Sequence, residues 1–367
     1  MNRTDRECLV GLNLISQLTP KRAKRLFAHF DSFAAIWDAP AGRFSELFGS
    51  SVLGEAIACG RSDAAVDQEL KRANEAGVRL VTLVDSDYPV LLREIDDPPL
   101  VLYVRGRLPV DTSSTIAIVG TRRGTQYGKM VAAKLASQLA LRGIGIVSGL
   151  AAGIDAAAHQ GTLDVGGHTI AVLGCGVDVP YPKRNQPLYE RIAVSGTVIS
   201  EYPLGTRPAK WTFPQRNRIL SGLSRGVVVV QAPERSGSLI TARLALEQGR
   251  EVFAVPGNIS TMTSAGTNRL IKQGAKLVES AEDILEEFPD LRRIARSAPL
   301  TDETEDDVTL TERERRVYEL ISLEPVHVDD IIARADLSPT EASHVLLLLQ
   351  LEDLVVEVEG GCYVRRP

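Results

Sequence analysis

The residues with the most chemical potential in this sequence are arginines and lysines that stand beside glycines and aromatic rings. Residues 120–128 read GTRRGTQYG, residues 181–185 read YPKRN and residues 210–218 read KWTFPQRNR. A glycine lets the backbone approach a phosphate, a guanidinium group binds phosphate oxygens in pairs, and an aromatic ring stacks on a base. These three segments therefore predict a binding site for a flexible polyanion that also carries bases.

Each of these segments follows a short apolar run that is typical of a buried strand. Such runs, rich in β-branched residues, occur at residues 79–84, 100–104, 116–119, 145–147, 169–173, 197–199, 226–231 and 252–255. Amphipathic helical patterns alternate with them, for example at residues 130–141 and 239–248. This alternation predicts an α/β fold with a doubly wound, mostly parallel sheet. Ligands bind such a sheet at the carboxyl ends of its strands, where the basic segments lie.

Two smaller domains flank the predicted sheet domain, which we assign to residues 66–288. Residues 1–65 contain short amphipathic helical patterns and predict a small all-helical domain of the SAM or helix-hairpin-helix type. Residues 289–308 contain the run DETEDD and predict a solvated acidic linker. In residues 309–367, two capping boxes, an apolar helical run and a hairpin with a Gly-Gly turn predict a winged-helix domain.

The formal net charge of −5 argues against a nucleic-acid partner when it is taken as an average over the chain. The distribution of charge gives the opposite result. Residues 116–280 carry a net charge of +10, whereas residues 1–115, 281–308 and 309–367 carry −2, −7 and −6. A basic block between acidic flanks predicts a polyanionic ligand for the middle block. We also expect the acidic linker and the winged helix to compete with this ligand for the basic face.

Residue spacing disfavours several common kinds of site. Cys8, Cys59, Cys175 and Cys362 are scattered and form no CxxC pair, which argues against a disulfide framework or a metal site and for a reducing compartment. The glycines of residues 120–128 have GxxxGxxxG spacing rather than the GxGxxG of a dinucleotide site. No apolar run is long enough for a membrane span, and the first residues do not resemble a signal peptide. We therefore predict a cytoplasmic protein without metal or cofactor.

Another glycine-rich segment, VSGLAAGIDAAAH, spans residues 147–159. Its Asp155 and His159 lie four residues apart, so they share one face of the predicted helix. The pair fits either an acid–base or metal dyad or a structural contact beneath the glycine turn. No second histidine, cysteine or nucleophile stands nearby in the sequence, and we expect the structural contact.

Eight motifs together resemble the DNA-processing protein A family (DprA, also called Smf). In chain order they read IVGTRRGTQYG, VSGLAAGIDAAAH, VPYPKRN, SEYPLG, FPQRNRILSGLS, SGSLITA, VPGN and GTNRLIKQGA. They lie between about residues 80 and 280, and the flanking helices and winged helix match additions that are usual in this family. At the first turn the family commonly has Gly-Ser-Arg, where this chain has Gly-Thr-Arg; threonine keeps the hydroxyl group.

The resemblance implies an extended Rossmann-like fold that binds single-stranded DNA as a homodimer. It also implies delivery of the RecA recombinase onto incoming strands during natural transformation. The DNA pocket of the family corresponds here to Gly120, Arg122, residues 181–185, Arg216 and Asn217. With the residues selected for charge, hydroxyl or ring, the candidate DNA-binding residues are Gly120, Thr121, Arg122, Arg123, Tyr181, Lys183, Arg184, Asn185, Lys210, Phe213, Arg216, Asn217, Arg218, Ser236, Lys272 and Lys276.

Two other functions match parts of the sequence. A nucleoside-monophosphate phosphoribohydrolase of the lysine-decarboxylase-like Rossmann group resembles its relatives in a PGGxGTxxE segment, but no glutamate stands three residues after Thr241 here. A duplex-DNA regulator that acts through the winged helix needs groove-reading side chains on its third helix, where only Gln350 qualifies. We therefore expect single-stranded DNA binding by the sheet domain, without catalysis.

Overall fold

The computed structural model describes residues 3–109, 111–297, 310–352, 354–358 and 360–365. Its helices are α1 Asp5–Leu14, α2 Pro20–Phe27, α3 Phe33–Asp38, α4 Ala41–Phe48, α5 Ser51–Gly60, α6 Asp63–Glu75, α7 Val90–Arg93, α8 Gln126–Leu141, α9 Ile154–Asp164, α10 Gln186–Ser195, α11 Thr212–Gly222, α12 Gly237–Glu247, α13 Ala265–Lys272, α14 Ala281–Glu286, α15 Pro289–Ser297, α16 Glu312–Leu320, α17 Val328–Ala335 and α18 Pro339–Leu351. Its strands are β1 Arg79–Thr82, β2 Val101–Gly106, β3 Thr115–Val119, β4 Gly145–Ser148, β5 Thr169–Val172, β6 Thr197–Ser200, β7 Gly226–Val229, β8 Glu251–Ala254, β9 Lys276–Leu277, β10 Val326–His327, β11 Val355–Val358 and β12 Cys362–Arg365.

The strands β1 to β9 form one sheet in the order β1-β2-β6-β5-β4-β3-β7-β8-β9. All neighbours from β6 across to β9 run parallel, whereas β2 is antiparallel to both β1 and β6. From β3 the chain first builds the sheet in one direction through β4, β5 and β6, and then in the other through β7, β8 and β9. The predicted doubly wound α/β fold is therefore confirmed, and its switch point lies between β3 and β7.

The central strands are buried along their whole length, as their continuous apolar runs predict. Every residue of β3, β5, β6 and β7 is buried, because helices cover both faces of the sheet. All eight predicted strands are present with ends that shift by one or two residues; β1, for example, ends at Thr82. The two-residue strands β9 and β10 are too short for the sequence pattern to predict.

The N-terminal helices α1 to α6 share a hydrophobic core with one face of the sheet. Leu9 of α1 and Val66 of α6 lie in the same buried cluster as Tyr103 of β2. Helix α6 continues to Glu75 and so crosses residue 65, where the sequence pattern places a domain boundary. The helical region is therefore a layer packed on the sheet, and its core is not separate.

Helix α15 occupies the first half of the segment that the sequence predicts to be a solvated linker. Its Leu291 is fully buried and Ala295 is nearly so, and both belong to the cluster that contains Ile116 of β3 and Leu135 of α8. The prediction of a linker that starts at residue 289 is therefore wrong, because these apolar side chains pack against the sheet domain. The rest of the predicted acidic linker lies outside the described residues.

The C-terminal residues form a small unit with its own core. Helices α16, α17 and α18 bury Val317, Ile331 and Leu346 in one cluster. Both predicted capping boxes are present, at the starts of α16 and α18. The hairpin of β11 and β12 is also present, and β10 pairs with β12 to complete a three-stranded sheet. The predicted winged-helix domain is therefore confirmed.

Candidate nucleic-acid interface

A groove of about 700 Å³ opens at the carboxyl ends of β3 and β7, where the chain changes direction across the sheet. The loops after β3 and β7 and the starts of α11 and α12 form its walls. Of the predicted site residues, the groove brings together Gly120, Thr121, Arg122, Arg123, Tyr181, Lys210, Phe213, Arg216, Asn217 and Ser236. Segments that are distant in the sequence therefore meet at one edge of the sheet, as the predicted topology requires.

The loop after β3 is held in a fixed shape by Gln231, which follows β7. The Thr121 N–H donates to the Gln231 backbone carbonyl at 2.8 Å, and the Thr125 N–H donates to the Gln231 side-chain oxygen at 3.0 Å. The Gln231 amide nitrogen donates in turn to the Thr125 hydroxyl at 2.8 Å. A Cβ on Gly120 would lie 2.6 Å from the Ile154 side chain, so this position requires glycine. The basic loop is thus preorganised before any ligand binds.

Two aromatic rings and a cation form one wall of the groove. The ring centroids of Tyr181 and Phe213 lie 5.5 Å apart, with their planes tilted by 38°. The Arg122 guanidinium carbon lies 4.9 Å from the Phe213 centroid, which is a cation–π contact. Tyr181 is 38% exposed, so part of its ring is free to contact a ligand. A stacking surface and a phosphate donor therefore stand side by side.

The floor of the groove holds a buried cation and a buried carboxylate. Arg216 is 4% exposed and donates a hydrogen bond to the Val172 carbonyl. Burial lowers the pKa of Arg216, and the nearby Asp155 charge opposes this shift. Burial raises the pKa of Asp155, while Arg216 and backbone N–H groups of the loops after β3 and β4 favour its charged form. Because the two charges compensate each other, the floor adds little free positive charge.

Free positive charge comes instead from side chains on the rim. Arg122, Arg123, Lys210 and Arg235 all line the groove and are exposed. Among the residues that the structure describes, none supplies an ion-pair partner to any of these four. At neutral pH the rim therefore carries four positive charges that are available to an anionic ligand.

The charge and the shape of the groove also depend on residues outside the predicted set. Arg235 and Asp155 line it, and Gln231 fixes its central loop. Arg235 precedes Ser236 directly, and a cation beside a Ser-Gly-Ser turn is a sequence signal that identifies it. Gln231 has no such signal, because its role depends on the pairing of β3 with β7.

The other predicted site residues do not line the main groove. Arg184 lines an adjoining cavity of about 150 Å³, which shares Arg122 and Tyr181 with the groove. Lys183 and Lys272 are exposed on the short 3-10 helix before α10 and on α13. Of these three cations, only Arg184 is therefore adjacent to the groove.

Two predicted DNA contacts are engaged in ion pairs instead. Arg218 is 4% exposed and contacts the carboxylates of Glu201 at 2.6 Å and Asp97 at 3.1 Å. Lys276 contacts two glutamates at the end of α14, at 3.1 and 2.7 Å, and the hydrogen bonds that it donates to them raise its pKa. The expectation that Arg218 and Lys276 face the DNA site does not hold, because their charges are neutralised within the chain.

Beneath the loop after β4, His159 and Asn185 hold the backbone of Leu150, whose φ of 52° lies in the left-handed region. The Leu150 N–H donates to His159 Nε2 at 3.3 Å, and the Leu150 carbonyl accepts from the Asn185 amide at 2.9 Å. His159 Nδ1 lies 2.7 Å from the Thr169 hydroxyl, so the expected contact with Asp155 is not formed. Burial lowers the His159 pKa to about 3. Asn185 and His159 thus support the backbone of the loop after β4, and neither lines the groove.

Two further properties of the described residues bear on function. None of their helices has both the length and the apolar composition that crossing a membrane requires. Within the same ranges, no three His, Cys, Asp or Glu side chains come together in a way that could hold a metal ion.

The fold and the groove define an extended Rossmann-type protein with a cationic site at its switch point and a winged helix. The sequence profile of the family described as DNA recombination-mediator protein A matches residues 79–289. The profile of the DprA winged helix domain matches residues 301–361. The chain therefore belongs to the DNA recombination-mediator protein A family of DNA-processing proteins, and the resemblance seen in the sequence is confirmed.

Individual relatives cover much of the chain. Protein Smf from Synechocystis is 37% identical over 95% of this chain and 95% of its own length. DNA processing protein DprA from Bacillus subtilis is 48% identical over 59% of this chain and 73% of its own length. The X-ray structure of DprA from Streptococcus pneumoniae matches with a TM-score of 0.68 and 38% identity, over 78% of this chain and 99% of that chain. The structure of DNA processing protein A from Helicobacter pylori, described for its single-stranded DNA binding mode, matches with a TM-score of 0.52 and 34% identity, over 57% of this chain and 95% of that chain.

Proposed function

We propose that this protein binds single-stranded DNA, without strong sequence preference, in the groove at the carboxyl ends of β3 and β7. The observation that carries this is the set of four exposed, unpaired cations around the Tyr181 and Phe213 rings. Cations neutralise phosphates whatever the sequence, and a ring stacks on any base. Duplex DNA suits the groove less well, because its bases are already stacked on one another. The single-stranded DNA binding described for the Helicobacter pylori relative supports the same function.

We infer further that the protein loads the RecA recombinase onto the bound strand in the cytoplasm, during natural transformation, and does so as a homodimer. Membership of a family described as recombination mediators supports this part. In this arrangement the sheet domain binds DNA, and along the chain helices α1 to α6 precede it and the winged helix follows it. With DNA covered by single-strand-binding protein, adding the wild type is expected to restore the DNA-dependent ATPase of RecA, and Arg122→Ala is expected not to.

Binding without catalysis is part of the same inference. A phosphoribohydrolase needs a glutamate three residues after Thr241, where this chain has Leu244. A duplex regulator needs cations on α18, whose exposed positions include Ser343, His344 and Leu347 and whose sequence contains no lysine or arginine. Release of free base from nucleoside monophosphates, or tight duplex binding by residues 309–367, would contradict this reasoning.

The direct test is a pair of matched charge deletions. Arg122→Ala removes a rim cation, whereas Arg243→Ala removes an exposed cation of α12 that pairs with Glu247 and does not line the groove. A lost charge-assisted phosphate contact is worth about 1.5–3 kcal/mol, so Arg122→Ala is expected to weaken binding of a labelled oligo-dT at least about tenfold in fluorescence anisotropy. Arg243→Ala is expected to bind like the wild type, and equal losses in both variants would refute this site.

A further inference from the structure

We propose that a second, apolar groove beside the main one binds nucleobases of the same single strand, an inference that rests on the proposed DNA binding. This groove has a volume of about 530 Å³ and lies between the loops that follow β7 and β8. The residues after β8 that line it are Ile259, Ser260, Thr261, Met262 and Ala265, and Pro233, Glu234 and Arg235 line its other side. We call it the Ile259–Met262 groove.

The apolar side chains of this groove are exposed to an unusual degree. Ile259 is 95% exposed and Met262 is 82% exposed. Apolar surface in water is unfavourable by about 25 cal/mol for each Å², so two such side chains facing one groove indicate a surface that a ligand covers. A methionine thioether also makes favourable contacts with aromatic rings, including the faces and edges that a base offers.

The loop that carries these side chains is firmly anchored. The Asn268 side-chain amide contacts both the N–H and the carbonyl of Gly257, at 3.2 and 2.9 Å. Ala232, just after β7, donates to the Thr263 carbonyl and accepts from the Gly266 N–H, at 2.8 Å in each case. Ile259 and Met262 are therefore held outward by backbone that is fixed on both sides. A preformed surface of this kind binds without a large entropic loss.

The Ile259–Met262 groove is continuous with the main groove. Pro233 and Arg235 line both, and the two grooves open at the carboxyl ends of the neighbouring parallel strands β7 and β8. Arg235 is exposed and has no ion-pair partner among the described residues. A strand that leaves the main groove along this edge crosses Arg235, which neutralises a phosphate at the border between the two grooves.

The charge of the second groove favours bases over phosphates. Glu234 lines it and is exposed, and a carboxylate repels the phosphate backbone. With Ile259 and Met262 on the other side, the groove offers apolar contact to a planar base and a cation only at its border. The expected arrangement is a phosphate on Arg235 and the following bases against Ile259 and Met262.

The test compares two double variants with the wild type. Ile259→Ser with Met262→Ser removes the apolar side of the groove, whereas Val52→Ser with Val194→Ser removes two valines that are 77% and 86% exposed and lie elsewhere. Each is titrated by anisotropy against labelled dT20 and against an abasic oligonucleotide of the same length. The first variant loses the apolar area that two side chains bury against bases, so it is expected to bind dT20 at least about fivefold more weakly and the abasic strand like the wild type. The valine variant is expected to bind both like the wild type.

Other outcomes would contradict the base contact, and they distinguish its failure from a failure of the proposed DNA binding. Equal loss on dT20 and on the abasic strand, or unchanged binding of dT20, would overturn the base contact. Lowered self-association in sedimentation with unchanged dT20 affinity would show an interface between copies of the chain and would also overturn it. If Arg122→Ala weakens dT20 binding while the Ile259/Met262 variant does not, only the second groove fails. If the wild type does not bind dT20, the proposed function fails and the second groove with it.

Discussion

Replacing His159 with glutamine is expected to change how the free energy of unfolding depends on pH. The Thr169 hydroxyl donates to the Ile146 carbonyl at 2.8 Å, so His159 Nδ1 must carry the proton that it shares with Thr169, and Nε2 must be the acceptor for Leu150. If Nε2 were also protonated, it could no longer accept from the Leu150 N–H, and two donors would face each other in a fully buried site. Burial disfavours the second proton most strongly, and the positive charge of Arg216 disfavours it further, so the folded-state pKa is about 3, against 6.5 for an ordinary histidine.

The size of the effect follows from linkage. The unfolded chain takes up a proton below pH 6.5 and the folded chain does not, so the wild type loses stability as the pH falls, by about 1.36 kcal/mol for each unit. Between pH 7.5 and pH 5 this histidine therefore accounts for a loss of about 2 kcal/mol. Glutamine does not titrate, so its variant lacks this contribution. At pH 7.5 the variant is expected to be about 1–3 kcal/mol less stable than the wild type, because buried hydrogen-bonding groups lose their partner.

Chemical denaturation of both proteins at pH 7.5 and pH 5 measures the difference directly. The gap in unfolding free energy between the wild type and His159→Gln is expected to narrow by about 2 kcal/mol at pH 5. Contributions from other titrating groups are common to both proteins and cancel in this difference. A gap that stays constant between the two pH values would refute the assigned role of His159.

Three other perturbations test separate parts of the structure. A Cβ on Gly149 would lie 2.7 Å from the Arg216 guanidinium carbon, so Gly149→Ala is expected to lower the unfolding free energy by about 1–3 kcal/mol in chemical denaturation. A Cβ on Gly42 would meet open space, so Gly42→Ala is expected to change the unfolding free energy little in the same assay. Glu201→Ala leaves the buried Arg218 with Asp97 as its remaining ion-pair partner and is expected to lower the unfolding free energy by about 3–5 kcal/mol. The control Glu247→Ala breaks the exposed pair with Arg243 and is expected to lower it by less than about 1 kcal/mol. Truncation after residue 297 keeps α15 and removes a net charge of −11, so single-stranded DNA is expected to bind more tightly at low salt; unchanged affinity in anisotropy would show that the tail does not compete.

The strands and the meeting of most candidate residues in one groove could be predicted because the underlying sequence signals are local. Continuous apolar runs mark strands that are buried on both faces, and the alternation with helices sets their parallel order. Once the topology is known, the loops after β3 and β7 must meet at the switch point. The basic and aromatic residues of those loops are then neighbours, although they are far apart along the chain.

The errors in the prediction come from contacts that depend on the folded chain. Arg216 and Arg218 are two residues apart and look equivalent in the sequence, but on a helix they point about 200° apart. Arg216 therefore lies at the groove floor, and Arg218 lies among Glu201 and Asp97. The error at α15 has another cause. Leu291, Ile294 and Ala295 have the i, i+3, i+4 spacing of an amphipathic helix, but the acidic run after them favoured a linker for the whole segment.

The salt dependence of DNA affinity tests the central claim most directly. Each phosphate contact to a single strand contributes a slope of about −0.7 to log K against log salt concentration, so four rim cations predict a slope near −3 for wild type on dT20. Arg122→Ala is expected to flatten that slope by about 0.7, and a duplex of the same length is expected to bind more weakly at every salt concentration. Affinity that does not depend on salt, or a preference for the duplex, would contradict a single-stranded DNA site in the groove at the carboxyl ends of β3 and β7.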